Sequence, residues 1–154
     1  MPHQDVQINN SYPKLLFTES SLQKFFHILY GLPAPYLPPS GELSVVFLDD
    51  QSMILLHNDF LNDPTETDVI TFPPDPYFDS AGEICVCVDR AISLSNDLNV
   101  PFNKELSLYL VHGWLHLIGF NDITEAEIDS MRKAENDIFQ ILEKASAFPD
   151  FHLQ

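Results

Sequence analysis

The chain has 154 residues, 45% hydrophobic and 12% aromatic, enough for one well-buried core and too few for two, so a single domain over 1–154 is expected. Twenty-three acidic residues stand against seven basic ones, a net charge of −16, which excludes a generic phosphate-gripping surface, leaves room for a local basic cleft and favours basic proteins as partners. No apolar run approaches the roughly 18 residues of a membrane span, and MPHQDVQINN lacks the basic and apolar regions of a secretory signal, so a soluble, cytoplasmic protein without membrane contact is expected.

Taken in chain order, the pattern predicts an α+β fold. DVQINN reads as a short strand near 5–10, and SSLQKFFHILYGL as a helix starting at a serine cap and stopping at Gly31. Residues 31–41, LPAPYLPPSG within them, form a proline-rich loop. ELSVVFLDD has the β-branched and aromatic density of a strand, and Asp50 is placed to cap a helix over QSMILLHNDFLN. NDPTE reads as a turn. DVITF and GEICVCV read as two more strands, separated by a surface loop at 73–81 that is too long and proline-rich for a tight hairpin. A strand would turn Cys85 and Cys87 to one face, too close for disulfide geometry, so both are read as small buried residues with no disulfide partner. DRAISLSNDL predicts a helix. NKELSLYLVHGWLHLIG is apolar nearly all round, which predicts a central buried helix over 103–118 ended by Gly119. TEAEIDSMRKAENDIFQILEKA carries the Thr124/Glu127 spacing of a capping box and an apolar stripe, whereas residues 147–154 read as a loose tail. The sum is a small mixed four-stranded sheet near 5–10, 43–48, 68–72 and 83–88, a buried central helix and several flanking helices.

The central helix carries two histidines four residues apart. His112 and His116 share one helix face with Cβ atoms about 6 Å apart, so their rings can converge on one ion. Once Gly119 breaks the helix, Asn121 and Asp122 can return toward the same point. Two imidazoles and a carboxylate form a plausible three-ligand set for one Zn²⁺, with the fourth position open to water; a structural histidine pair bonded to carbonyls is the alternative. Gly113 stands where helical zinc peptidases place a glutamate, which argues against peptidase chemistry. Glu83 and Asp68 are the candidate general bases or imidazole-orienting carboxylates, with capping or solvated roles as the alternative. Trp114 and Phe120 could stack a nucleobase, but on an apolar helix they read first as core.

HGWLHLIGFND at 112–122 resembles the signature of the YbeY family, bacterial endoribonucleases and rRNA maturation factors. TDVITFP at 67–73, AGEICV at 81–86, KELSLYLVHG leading into the motif and EIDSMRKAENDI downstream are similar to the family's other blocks, so the likeness covers roughly residues 42–142. The resemblance implies a metal-dependent, single-strand-specific endoribonuclease acting in small-subunit rRNA maturation and ribosome quality control. It also implies partners among rRNA, the small ribosomal subunit and ribosomal proteins. Three departures stand out. Asp122 replaces the family's third histidine and Asn121 its preceding aspartate, and Leu61 occupies the position of an arginine thought to face RNA, with His57 where an asparagine is usual. Leucine cannot pair with a phosphate, so a non-catalytic assembly factor that binds basic ribosomal proteins stays open beside the nuclease.

Overall fold

The computed structural model describes residues 6–62 and 67–154. Asp5 of the first expected strand and most of the expected turn at 62–66 lie outside them. Strands β1 (Val6–Asn10), β3 (Glu42–Leu48), β4 (Val69–Phe72) and β5 (Ser80–Cys87) form a four-stranded sheet in the order β1-β3-β5-β4. β1, β3 and β5 run parallel, with Val45 opposite Ile8 and Ile84, while β4 returns antiparallel to β5 with Ile70 opposite Cys85. The mixed four-stranded sheet expected from the sequence is therefore present. A second ribbon, β2 (Leu15–Leu16) with β6 (His152–Leu153), was not foreseen.

The helices are α1 (Glu19–Tyr30), α2 (Asp50–Leu61), α3 (Val88–Leu98), α4 (Phe102–Leu117) and α5 (Glu125–Ala145). Thr18, not a serine, caps α1 by accepting the Ser21 N–H, and Asp49, not Asp50, caps α2 by accepting the Ser52 N–H. Asp50 is the first helical residue; its own N–H donates to Asp89 at 2.8 Å. The α5 capping box forms in full between Thr124 and Glu127. The expected 73–81 loop is shorter than foreseen, because Asp75 and Ser80 exchange backbone hydrogen bonds around a 3₁₀ turn at Pro76–Phe78 and β5 starts at Ser80.

Helix α4 lies where its composition requires. Leu110, Val111, Trp114 and Leu115 are fully buried in a core shared with α1, α5 and the sheet. Gly113 sets the approach: a Cβ built there would stand 2.6 Å from Ile84 Cγ2 and 3.3 Å from Thr71 Cγ2, so the absent side chain lets α4 sit directly on β5. The opposite face of the sheet is thinly covered. Met53 of α2 packs there on Ile70, Cys85 and Cys87, and both cysteines are free thiols buried among them.

The tail is a correction. Residues 147–154 are not loose: Ala147 and Phe151 are 1% and 4% exposed, and Phe151 meets Phe17 and Phe47 edge-on at ring distances of 5.6 and 5.5 Å. Asp150 fixes the segment by accepting from Thr18 N, Thr18 Oγ1 and Ser21 Oγ at 2.7–2.8 Å. The apolar pair Phe148 and Phe151 outweighs the lack of periodicity that made this stretch read as free.

Candidate metal centre

The burial of α4 fixes the backbone of His112 and His116 while leaving both side chains half-buried at one end of the helix. Each ring is held by its Nδ1. His112 Nδ1 lies 3.0 Å from Glu135 Oε2 on α5, and His116 Nδ1 lies 3.0 Å from the Phe120 carbonyl. Both partners are acceptors, so each Nδ1 donates a proton, and each ring in its neutral form presents a bare Nε2. These two Nε2 atoms face one another at 3.0 Å. Asp122 Oδ2 stands 3.4 Å from the first and 3.6 Å from the second.

Three electron-pair donors converging in this way repel one another unless a proton or a metal cation lies between them. Zinc with ligands at about 2.0–2.1 Å in a tetrahedron places its ligand atoms about 3.3 Å apart. The observed separations of 3.0, 3.4 and 3.6 Å bracket that value, so the donor set fits one zinc-sized ion. Among the described residues this is the group of histidine, cysteine and carboxylate side chains positioned to hold a metal.

The loop after α4 supplies the third donor. Helix bonding ends as Gly119 N–H donates to His116 O at 3.1 Å and Phe120 N–H to Leu115 O at 2.9 Å, and Gly119 takes φ of +107°, a conformation that L side chains rarely adopt. No atom lies near its missing Cβ, so the glycine serves the backbone turn, not close packing. Phe120 stacks on Tyr36 from the proline-rich loop with ring centroids 5.8 Å apart, which steadies the carbonyl held by His116. Asp122 then falls two residues before the Thr124 cap of α5. Asn121, its neighbour in the motif, has its side chain hydrogen-bonded to Glu127.

Burial, the largest influence on His112, pulls its pKa down; the hydrogen bond and charge of Glu135, followed by Asp68 and Asp122, outweigh it and raise the pKa above the ordinary imidazole value. Asp68 is near enough for its charge to be felt at His112. It lines a cavity of about 310 Å³ with Glu105, Tyr109, His112, Asp122 and Glu135. Burial, followed by the charge of Glu105, pushes the Tyr109 phenol far up. The structure does not bring Glu83 to the histidines. It shares the α2 face of β5 with Cys85, whose thiol donates to Glu83 Oε1 at 3.3 Å, and it lines a separate cleft with Leu56, Phe60 and Phe72. Leu61 is 59% exposed at the end of α2 and does not line the histidine cavity. Trp114 is fully buried against Tyr30 and is core.

Glu135 escaped the residue-level reading. It lies 23 residues beyond His112, and its only signal was a place in the downstream block similar to the family's. It is the carboxylate that orients a prospective ligand through the second ring nitrogen, the arrangement that histidine-bound metals commonly require.

A mixed sheet carrying a buried helix whose two imidazoles meet a loop carboxylate defines a class of α+β domain with a built three-donor group for one divalent ion. Comparison with known proteins narrows it. The family model described as Endoribonuclease YbeY matches residues 7–143, and the chain belongs to this family. A Protochlamydia amoebophila protein named Endoribonuclease YbeY is 43% identical over 100 residues, covering 61% of this chain and 65% of that protein. One of the same name from Sinorhizobium medicae is 29% identical over 147 residues, covering 86% and 88%. A solution structure of a Thermotoga maritima protein shares the fold, with a TM-score of 0.57 at 21% identity over 92% of this chain and 94% of that one.

Proposed function

We propose that this chain is a zinc-dependent endoribonuclease that cuts single-stranded RNA, with small-subunit rRNA as its substrate in ribosome maturation and quality control in the cytoplasm. The observation that carries the reading is the convergence of the two Nε2 atoms and Asp122 Oδ2 within 3.6 Å, in a family whose relatives are named endoribonucleases. No helix among the described residues is long and apolar enough to cross a membrane.

His112, His116 and Asp122 are the proposed ligands of one Zn²⁺. Bound there, zinc would supply Lewis-acid polarisation of a phosphoryl oxygen and acidify water enough for hydrolysis near neutral pH. The protein's own groups do the rest. Glu135 and the Phe120 carbonyl keep the Nδ1 protons in place, so both Nε2 lone pairs stay available. Asp68, on the cavity wall and electrostatically coupled to His112, is the carboxylate proposed to accept a proton from the attacking oxygen. Glu83 has no place in this scheme, because it faces the other side of the sheet.

A second reading rests on Leu61. With an exposed leucine where the family pattern has arginine, and with a net charge of −16, a non-catalytic assembly factor docking on basic ribosomal proteins is the alternative. One preparation separates the two. Zinc content and cleavage of a single-stranded RNA are measured on the same metal-loaded protein, beside Asp68→Asn. Cleavage that requires zinc and falls with Asp68→Asn supports the enzyme. Stoichiometric zinc without cleavage, accompanied by salt-sensitive binding to basic ribosomal proteins, supports the factor. Leu61→Arg should raise cleavage about tenfold if position 61 reaches the transition-state charge.

A further inference from the structure

The histidine cavity presents an electrostatic problem. Asp68, Glu105, Asp122 and Glu135 all line it beside His112, and a phosphodiester entering meets more carboxylates than one bound zinc ion would balance. One cationic side chain shares the lining, Arg132. The chain has two arginines and five lysines, and no lysine lies on this wall. Arg90, the other arginine, is engaged with neighbours near Tyr109.

Arg132 is placed by the periodicity of α5. Ile128, Arg132 and Glu135 stand at intervals of four and three residues, so they share the helix side that closes the cavity, while Met131 and Ala134 beside them are buried against the core. Glu135 on this stripe is committed to His112. Arg132 is not committed: its side chain is exposed and makes no hydrogen bond or ion pair with any described residue, although four carboxylates line the same cavity. Its neighbour Lys133 shows the contrast, turned to solvent and paired with Asp137 at 3.4 Å.

We infer that Arg132 is the phosphate-binding group of this site, holding a backbone phosphate of single-stranded RNA at the cavity mouth beside the three proposed metal ligands. The inference rests on the nuclease reading for its substrate class. A guanidinium offers five donors in a rigid fork that matches two phosphate oxygens, which a leucine at position 61 cannot do. It is a substrate-contact residue on a different element from α2, so the RNA path runs along α5 and away from the exposed end of α2.

The test uses the zinc-loaded chain and a non-cleavable single-stranded RNA carrying 2′-O-methyl groups, with affinity measured over a range of salt concentrations. Arg132→Ala is expected to weaken binding about tenfold and to lower the salt slope by about 0.7, the loss of one phosphate contact to a single strand. Arg132→Lys should keep the slope and recover only part of the affinity, since charge is retained and the fork is lost. Lys133→Ala is the control and should leave both unchanged. Zinc content should be the same in all four proteins, because Arg132 is exposed and is no ligand. Equal affinity and slope for the unmodified protein and Arg132→Ala would overturn the inference, as would absence of binding by the unmodified protein. Cleavage that ignores Arg132 would sink the inference and leave the nuclease. Arg132-dependent binding without cleavage of ordinary RNA would do the reverse.

Discussion

Replacing Gly113 by alanine tests whether the seating of the histidine helix is set by contact with the sheet. The added Cβ would lie 2.6 Å from Ile84 Cγ2, against the roughly 3.5–4.0 Å at which carbon atoms rest, so a gap of about 1 Å must be opened. Ile84 has little room to yield. It is fully buried and its β-branched side chain is stiff at χ1, while the new Cβ would also stand 3.3 Å from Thr71 Cγ2. Overpacking of this kind costs about 1–3 kcal/mol, and the better helix propensity of alanine offsets about 1 kcal/mol of it. A net loss of up to about 2 kcal/mol is expected in urea unfolding of the metal-free protein. The sharper measurement is a double-mutant cycle with Ile84→Ala. Alone, Ile84→Ala should cost about 2–5 kcal/mol through the cavity it leaves. In the Gly113→Ala background the new methyl fills part of that cavity and the strain is gone, so the cost should fall by about 1–3 kcal/mol. Additivity within about 0.5 kcal/mol would show that α4 is not held by this contact.

Asp122→His should tighten zinc binding and Asp122→Ala should weaken it, read by competition with a chromogenic chelator; equal affinity in both would remove Asp122 from the ligand set. Glu135→Gln should lower zinc affinity about ten- to a hundredfold, because the amide oxygen can still accept from Nδ1 but the negative charge that makes the His112 ring more basic is lost, and an unchanged constant would refute that role. The same contact sets a pH dependence in the metal-free protein. The folded-state pKa of His112 is raised above 6.5, so its contribution to stability is fully present below that value and is lost as pH rises through the folded pKa. Urea midpoints measured on either side of neutrality should show this loss in the parent and not in Glu135→Gln. Phe151→Ala should destabilise the fold by about 3–5 kcal/mol, a result that a loose tail could not give.

Much of this arrangement was legible in the residues, and the reasons for the failures are specific. The all-round apolarity of α4 announced its burial, and the i, i+4 histidines with Gly119 and Asp122 announced the donor group, because both rest on local helix geometry. The choice between Asp68 and Glu83 rested on a property that β5 hides. Ile84, Cys85, Val86 and Cys87 are all buried, so the strand is apolar on both faces and no polar alternation tells which face receives α4. Glu135 was hidden by distance, since its contact depends on how α5 docks and not on any spacing within α4. The adjacent acids Asp49 and Asp50 offered the same capping chemistry one residue apart, and only the dihedral angles separate them.

The clasp between Asp150, Phe151 and the start of α1 has a kinetic meaning. Its hydrogen bonds join residues 132 apart in sequence, nearly the whole described length. Contacts of such separation come late, when the intervening chain has already been gathered by the parallel sheet and its helices, and the entropy of closure grows only logarithmically with the span. The clasp is therefore expected to be absent from the folding transition state. Its loss in Phe151→Ala should leave the refolding rate almost untouched and appear as faster unfolding. The last residues described would then act as the latch that sets how long the native state survives, while the sheet and α4 set how quickly it is reached.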